Sequence, residues 1–383
     1  MTVWDEVVGQ PATVAELAAA ATDPSAMTHA WLFTGPPGSG RSVAARAFAA
    51  ALQCPRNGCG ECTACRTTLH GTHADVREIV PEGLSIGVEE MRALVQLAAR
   101  HPATGRYQIV VIGDADRLTE RAANALLKAV EEPSERTVFL LCAPSDHPDD
   151  VPITIRSRCR VVSLHSPPAS AIAAVLTRRD GIEPATAEWA ASVCGGHIGR
   201  ARHLATDADA RARRERVLAV PLGLRGLGDA FAAADELARA AKAEADDLSG
   251  SRDAAEREEL GVAMGAGGVG KGVAGAARAA KAAEKGLEKR QKSRATRTQR
   301  DVLDLALIDL AGFLRDVLVV GSAAEVPLTC PDRAADVERA ARRWTPESAL
   351  RRLEAVLACR DALDRNVKPL VALEAMLVAV QQG

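Results

Sequence analysis

Residues 31–42 read WLFTGPPGSGRS: an apolar strand-sized run, Trp31-Leu32-Phe33-Thr34, then a Gly/Pro-rich loop, then a helical stretch beginning near Val43. That succession decides the fold. Backbone N–H groups of such a loop, and of the helix N-terminus behind it, point at phosphate oxygens, and glycines let the backbone come close. The spacing Gly35-x4-Gly40-x-Ser42, with Gly38 inside it, fits a phosphate loop. A tight glycine turn without a ligand is the plain alternative, but the strand before and the helix after are the context that a phosphate loop needs. The usual lysine is missing, and Arg41 stands in its place. A long forked guanidinium does not simply replace the compact ammonium that reaches the β- and γ-phosphates from inside the loop.

Outward from this stretch, Val76–Val80, Gln108–Ile112 and Thr137–Leu141 read as further buried strands, and Val43–Leu52, Val88–Arg100 and Glu120–Glu132 carry helical spacing between them. Strands alternating with helices predict a parallel α/β sheet covered on both faces. The run IVVIGDAD ends the third strand, where one acid should hold Mg²⁺ and the next should polarise water. Asp114 can take the first role, but Ala115 occupies the second. Asp116, one residue on, is expected on the opposite face if the strand continues. A second match, Gly265-x4-Gly270-Lys271, is rejected because Gly272 stands where Ser or Thr belongs and the whole lies in a Gly/Ala tract.

Directly after the loop helix comes CPRNGCGECTAC, giving Cys54-x4-Cys59-x2-Cys62-x2-Cys65. Four thiolates this close can close a tetrahedral Zn²⁺ site, and with no open position the metal would be structural. Free thiols on a loop are the alternative, which the clustering disfavours. His70 and His73 are read as exposed loop residues and not ligands. Cys142, Cys159, Cys194, Cys330 and Cys359 read as small buried side chains.

Past Pro167-Pro168 the strand signal ends, and Ala169–Leu204 reads as short helices broken at Gly181 and at Gly195-Gly196. Apolar periodicity returns at Val302–Val320, Pro346–Cys359 and Asp361–Val380, enough for a final helical bundle. Between lies a charge reversal: residues 241–260 hold seven acidic and three basic side chains, whereas 271–300 hold ten basic and two acidic, a net of +8. The Gly/Ala tract between them has little volume for a core, so 248–300 is expected to be a mobile insertion or a long exposed helical hairpin. The basic part could touch DNA or an acidic partner, or be a solvated linker.

The whole chain has 383 residues, 48 Lys plus Arg against 50 Asp plus Glu, and 3% aromatics. No global basic excess announces a protein that coats nucleic acid, and stacking platforms are few. Without 271–300 the charge is −2 − (+8) = −10, so near-neutrality hides an acidic body and one basic segment. No run approaches the ~20 apolar residues of a membrane span. The start MTVWDEVVGQ lacks a basic segment followed by an apolar run, so no leader is expected and the chain is read as cytoplasmic.

The motifs VWDEVVGQ, HAWLFTGPPGSGRS, the four-cysteine insertion, IVVIGDADRL, ANALLKAVEEP and ITIRSRC, in this order, resemble bacterial AAA+ clamp-loader subunits of DNA polymerase III. The resemblance is close over residues 1–165 and architectural beyond. It implies an α/β P-loop AAA+ domain (1–165) with a zinc module (54–65), a helical lid (166–207) and an all-α collar for oligomerisation (208–383) interrupted by 248–300. Two members of the family carry the zinc module, the ATP-hydrolysing γ/τ type and the δ′ type, whose ATP site is degraded. Arg41 and Ala115 are similar to the second. Cys142 stands where an active subunit has a Thr that senses the γ-phosphate, and Gly199 falls at the second sensor arginine, with Arg200 one place along.

What the resemblance implies further is a non-hydrolysing subunit of a pentameric ring with γ/τ and δ subunits, part of the nucleoid-associated replisome, that loads the sliding clamp on primed DNA. Arg158 of Ser157-Arg158-Cys159 would reach a neighbour's ATP as a catalytic residue in trans. The degenerate nucleotide loop would comprise Gly35, Gly38, Gly40, Arg41, Ser42 and Asp114, with no hydrolysis and nucleotide binding itself in question. Two alternatives are an active γ/τ-type ATPase, against which Ala115 and the absence of a long Pro-rich extension argue, and a zinc-dependent nucleic-acid-binding module. The latter needs basic residues around the knuckle, where only Arg56 and Arg66 lie, with Glu61 between.

Overall fold

The computed structural model describes residues 2–263 and 273–383, and the chain divides into two compact units at the junction of Thr206 and Asp207. The first unit runs α1 (Pro11–Thr22), β1 (Ala30–Thr34), α2 (Arg41–Gln53), α3 (Thr63–Leu69), β2 (Val76–Ile79), α4 (Val88–Ala98) and β3 (Gln108–Ile112). It continues with α5 (Glu120–Glu131), β4 (Thr137–Ala143), α6 (Ile153–Arg156) and β5 (Arg160–Ser163), then α7 (Ala169–Arg178), α8 (Pro184–Val193) and α9 (Ile198–Thr206). All five strands are parallel, in the order β2-β3-β4-β1-β5. This is the expected parallel α/β sheet, covered by helices on both faces.

The strand period of two sorts the core. Trp31 and Phe33 face one side with Phe48, Val111 and Leu140, while Ala30 and Leu32 face the other with Val110, Ile112 and Phe139. Trp31 meets Phe48 edge-on, centroids 4.9 Å apart, the favourable geometry for rings of opposite edge and face polarity. Such two-sided burial is why the strands read as continuous apolar runs. The fifth strand was not legible in that way. In β5 only Val162 is buried, and Arg160 and Ser163 are exposed at the sheet edge, so no apolar run marks it.

One buried acid ties the sheet to a loop. Asp75, 2% exposed, accepts from the backbone N–H groups of Ala103 (2.6 Å), Thr104 (2.8 Å) and Gly105 (2.6 Å) and from the Thr104 hydroxyl (2.9 Å). Burial pushes its carboxyl up, but these four donors outweigh it and bring it down to about 2. The folded value lies below the unfolded one, so the contribution is present above the ordinary carboxylate range and is lost as pH falls through about 2. Asp75→Asn should therefore cost roughly 2 kcal/mol at neutral pH and flatten the acid limb of stability. Denaturant unfolding of both proteins at neutral pH and in acid checks this; equal stabilities at neutral pH would refute it.

Three short helices, α7 to α9, follow the sheet with breaks at Gly181 and at Gly195-Gly196, as the spacing predicts, and group with the first unit.

The described residues of the second unit form helices and no strand: α10 (Ala208–Gly223), α11 (Leu227–Ala263), α12 (Val273–Gly321), α13 (Ala334–Arg343), α14 (Pro346–Asp364) and α15 (Pro369–Gln382). Its core gathers Leu303, Leu307, Leu310, Phe313, Leu314 and Val317 of α12 against α11, α13 and α14, with α15 packed on α11 and α14. The periodic run expected over Asp361–Val380 is in fact two helices. Pro369 and the positive φ of Asn366 (66°) separate them, since the residue before proline is driven out of the helical region.

Of the two forms expected for 248–300, the described residues take the helical hairpin. Residues 248–263 continue α11 and 273–300 belong to α12; the rejected loop match at Gly265–Gly272 lies outside the described residues. The two helices run antiparallel, and their seam is polar. Arg294, buried, donates to Asp253 (2.5 Å) and Glu256 (2.6 Å), and Arg257 donates to Gln291 (2.9 Å), whose amide reaches the Asp253 carbonyl (3.0 Å). Hydrogen bonding from Arg294, the largest influence, brings the Glu256 carboxyl down to about 2. Among the described residues no helix is long and apolar enough to cross a membrane.

Candidate functional site

The loop 35–40 leaves the C-terminal end of β1, beside the end of β4. Such strand ends are where open parallel sheets bind ligands. The Gly35 N–H is held by the Pro144 carbonyl (3.1 Å). Gly38 (φ +87°) and Gly40 (φ +89°) both lie in the left-handed region, and Gly40 caps α2. A Cβ on Gly38 would sit 2.7 Å from the Cα and Cβ of His197, so that glycine is also where the residue before α9 packs on the loop. The first amides of α2 have no intrahelical partner. Ser39 Oγ and Arg41 Nη1 are buried and make no hydrogen bond, so the loop retains unsatisfied donors of the kind an anion would take up.

Arg41, the first residue of α2, faces the turn after β3 and the buried strand β4. Its charge reaches Asp116 and Cys142. Burial first, then the Asp114 carboxylate, pushes Asp116 up, with Arg117 and Arg41 opposing. Asp116 does not lie on the opposite face of a strand, as expected from a continued β3, because β3 ends at Ile112 and Ala115–Arg117 forms a single tight helical turn. Ala115 itself is buried and carries no acid. Cys142, inside β4, is wholly buried, and burial pushes its thiol up to about 12. It is a neutral thiol at neutral pH. Arg200 is buried in α9, and its backbone N–H donates to His197 Nδ1 (3.1 Å).

Cys54 ends α2 and Cys62 caps α3, so two helix termini aim their sulfurs at one point. All four sulfurs lie within 4.8 Å of one another, with Cys54 Sγ 3.6 Å from those of Cys59 and Cys62. A zinc–sulfur bond of ~2.3 Å implies tetrahedral edges of about 3.8 Å, so the donor set fits the metal. The Arg56 guanidinium donates to Cys59 Sγ (3.2 Å). Backbone donors, chiefly those of Glu61 and Cys62, pull the Cys59 thiol down to about 6, whereas burial pushes Cys65 up. Gly58 ties the module to the chain start: its carbonyl accepts from Val3 N–H (3.0 Å), and a Cβ there would meet Val3 Cγ2 at 2.8 Å. His70 is exposed as expected, but His73 is buried, where its Nδ1 accepts from the Asp75 N–H (3.1 Å). It is structural, not a ligand.

Arg158 follows α6 on the surface. It donates to the Thr154 carbonyl (2.7 Å) and Ser157 Oγ (3.2 Å) and pairs with Glu131 at 2.7 Å, each side chain 38% exposed. Glu131, from the end of α5, stands in the stretch AVEEP, but nothing in the sequence marks it as the partner of Arg158. Of the residues expected to act on nucleotide, the structure thus places Gly35, Gly38 and Gly40 in the loop after β1, Arg41 and Ser42 in the first turn of α2, Asp114 in the turn after β3, and Arg158 on an exposed turn bonded to α5.

Two family models match the chain: "DNA polymerase III, delta subunit" over residues 9–168 and "DNA polymerase III, delta subunit, C terminal" over 301–382. The delta' subunit of Pseudomonas aeruginosa DNA polymerase III is 39% identical over 165 residues, 42% of this chain and 50% of that protein. The tau subunit of Bacillus subtilis is 35% identical over 161 residues, 41% of this chain and 28% of that protein. The chain thus aligns with half or less of the length of these relatives. Among solved structures, a DNA polymerase III gamma subunit-related protein of Thermotoga maritima matches 96% of this chain and 99% of its own at 16% identity, with a TM-score of 0.40.

Proposed function

We propose, from the premise that this chain belongs to the DNA polymerase III delta-subunit family of clamp-loader proteins, that it is a δ′-type subunit that does not hydrolyse ATP. It would serve a ring of γ/τ and δ subunits in the cytoplasm, loading the sliding clamp on primed DNA, with the helices of 208–383 as the oligomerising collar. The observation that carries this reading is the contrast between two sites. The chain's own loop has Arg41 for lysine, Ala115 for the second acid and the neutral thiol of Cys142 in the buried strand, whereas Arg158 is intact and exposed.

In this reading the phosphate loop keeps its shape for packing. Arg41 places a fixed charge where Mg²⁺ would otherwise be drawn to Asp114, and no residue at 115 can orient water. Arg158 exchanges Glu131 for the γ-phosphate of a neighbouring subunit, where its guanidinium stabilises charge as the phosphoryl group transfers. The Cys54, Cys59, Cys62 and Cys65 thiolates would hold Zn²⁺, which supplies a cross-link between α2 and α3 and no catalysis.

The purified chain should release no phosphate from Mg-ATP above background, with or without primed DNA, and should support clamp loading when added to its γ/τ and δ partners. Turnover by the chain alone at ~1 s⁻¹ or faster, the range of working phosphoryl-transfer enzymes, abolished by Arg41→Ala, would make it an active γ/τ-type ATPase instead.

A further inference from the structure

The hairpin of α11 and α12 has two outer faces of opposite sign, and the basic one is unpartnered. On α12, Lys281, Lys285, Lys289 and Lys292 are all exposed. At 100° per residue they fall on one stripe, opposite the seam residues Leu287, Gln291 and Arg294 that are buried against α11. No acid pairs with any of the four among the described residues, unlike Arg252, Arg294 and Arg297, which are engaged with Glu256, Asp253 and Asp301. Glu284 and the nearer Glu288 border the stripe, Glu288 about 20° around the helix from Lys281, yet neither pairs with a lysine among the described residues. Away from the seam on α11 stand Asp247 and Glu258, exposed and acidic.

We infer that this face of α12 binds duplex DNA directly through its phosphates. Three features select that ligand. The stripe spans 12 residues, whose 11 steps give a rise of about 16 Å, along which B-DNA presents roughly ten phosphates at one per ~1.7 Å. Every amine therefore has a phosphate within reach of its flexible stem. The stripe carries no aromatic or large apolar side chain, so it has neither the anchors of a protein interface nor the stacking platforms that hold single strands. The acidic outer face of α11 repels a polyanion and so leaves one side of the arm for it. This binding requires neither nucleotide nor a neighbouring subunit, and it stands apart from the reading of the ATP site.

The test is binding of a labelled ~20-bp duplex to the full chain by fluorescence anisotropy across a salt series, with polyglutamate of matched charge as the second ligand. In the variant carrying Lys281→Ala, Lys285→Ala, Lys289→Ala and Lys292→Ala, duplex affinity should fall about tenfold or more and the slope of log Kobs on log salt should become shallower by about 3 to 4, near 0.9 per lysine. Circular dichroism should be unchanged, alanine being the best helix former. The four Lys→Arg changes should restore binding, and Asp247→Asn with Glu258→Gln should not lower it. Duplex affinity and slope unchanged in the alanine variant would overturn the inference, as would tighter binding to polyglutamate than to DNA, which would assign the face to an acidic protein.

Discussion

Arg158→Ala in a reconstituted clamp-loader complex should lower ATP turnover at the site of the neighbouring subunit by about 10³-fold or more, the magnitude that a trans arginine supplies to phosphoryl transfer. Its fold should be untouched. The bonds that Arg158 makes here are to Thr154, Ser157 and Glu131 on a half-exposed surface, and such an ion pair contributes about 0–1 kcal/mol. A collapse in rate without a shift in melting temperature therefore separates a finger from a structural cation. Arg158→Lys keeps the charge but loses the planar fork, and should recover only part of the rate. Glu131→Gln should leave turnover near the wild-type level, because in the proposed reading the phosphate takes the place of Glu131 on the arginine. The measurement is DNA-stimulated phosphate release with the other ATPase sites of the ring inactivated. Full turnover in the alanine variant would reduce Arg158 to one of several surface cations beside Arg156 and Arg160.

Replacing one thiolate of the four-cysteine site should have the largest effect on stability. Cys54 and Cys65 are buried in the same apolar cluster as Trp31, Phe33 and Phe48, so the four-thiolate site is joined to the core of the sheet and is not a free appendage. Cys62→Ser should abolish a single equivalent of bound zinc and cost roughly 4 kcal/mol, as losses of structural metals do. For a unit of this size that is a fall in melting temperature on the order of 10 °C. Because Gly58 carries the contacts to Val3, amide exchange should rise first at the chain start and in α3, and only later in β3 and β4. A purified protein that holds no zinc by elemental analysis, or whose melting is unchanged by the substitution, would show that the thiols only pack.

The charge balance shows how far composition can mislead. A near-neutral total argues against a nucleic-acid coat, and the segment count finds one basic stretch, but neither shows that its cations divide into two groups. Arg294 and Arg297 turn to acids of the hairpin, while the lysines a few residues away do not. Ala-rich helices with a polar seam also evade apolar periodicity, which is why 248–300 read equally well as a mobile insertion.

The local chemistry of this protein was legible in its residues alone. The phosphate loop, four of the five strands, the cysteine cluster and the surface arginine are contiguous motifs, because glycines, apolar runs and ligand spacing act over a few neighbouring positions. Tertiary structure decided what depends on distant partners. It set β5 at the edge beside β1, buried His73 on Asp75, turned Asp116 into a helical bend with Asp114, gave Arg158 to Glu131, and zipped α11 to α12 through Arg294. Each of these joins groups whose meeting is fixed by sheet order and helix packing, so no single stretch of sequence contains the interaction.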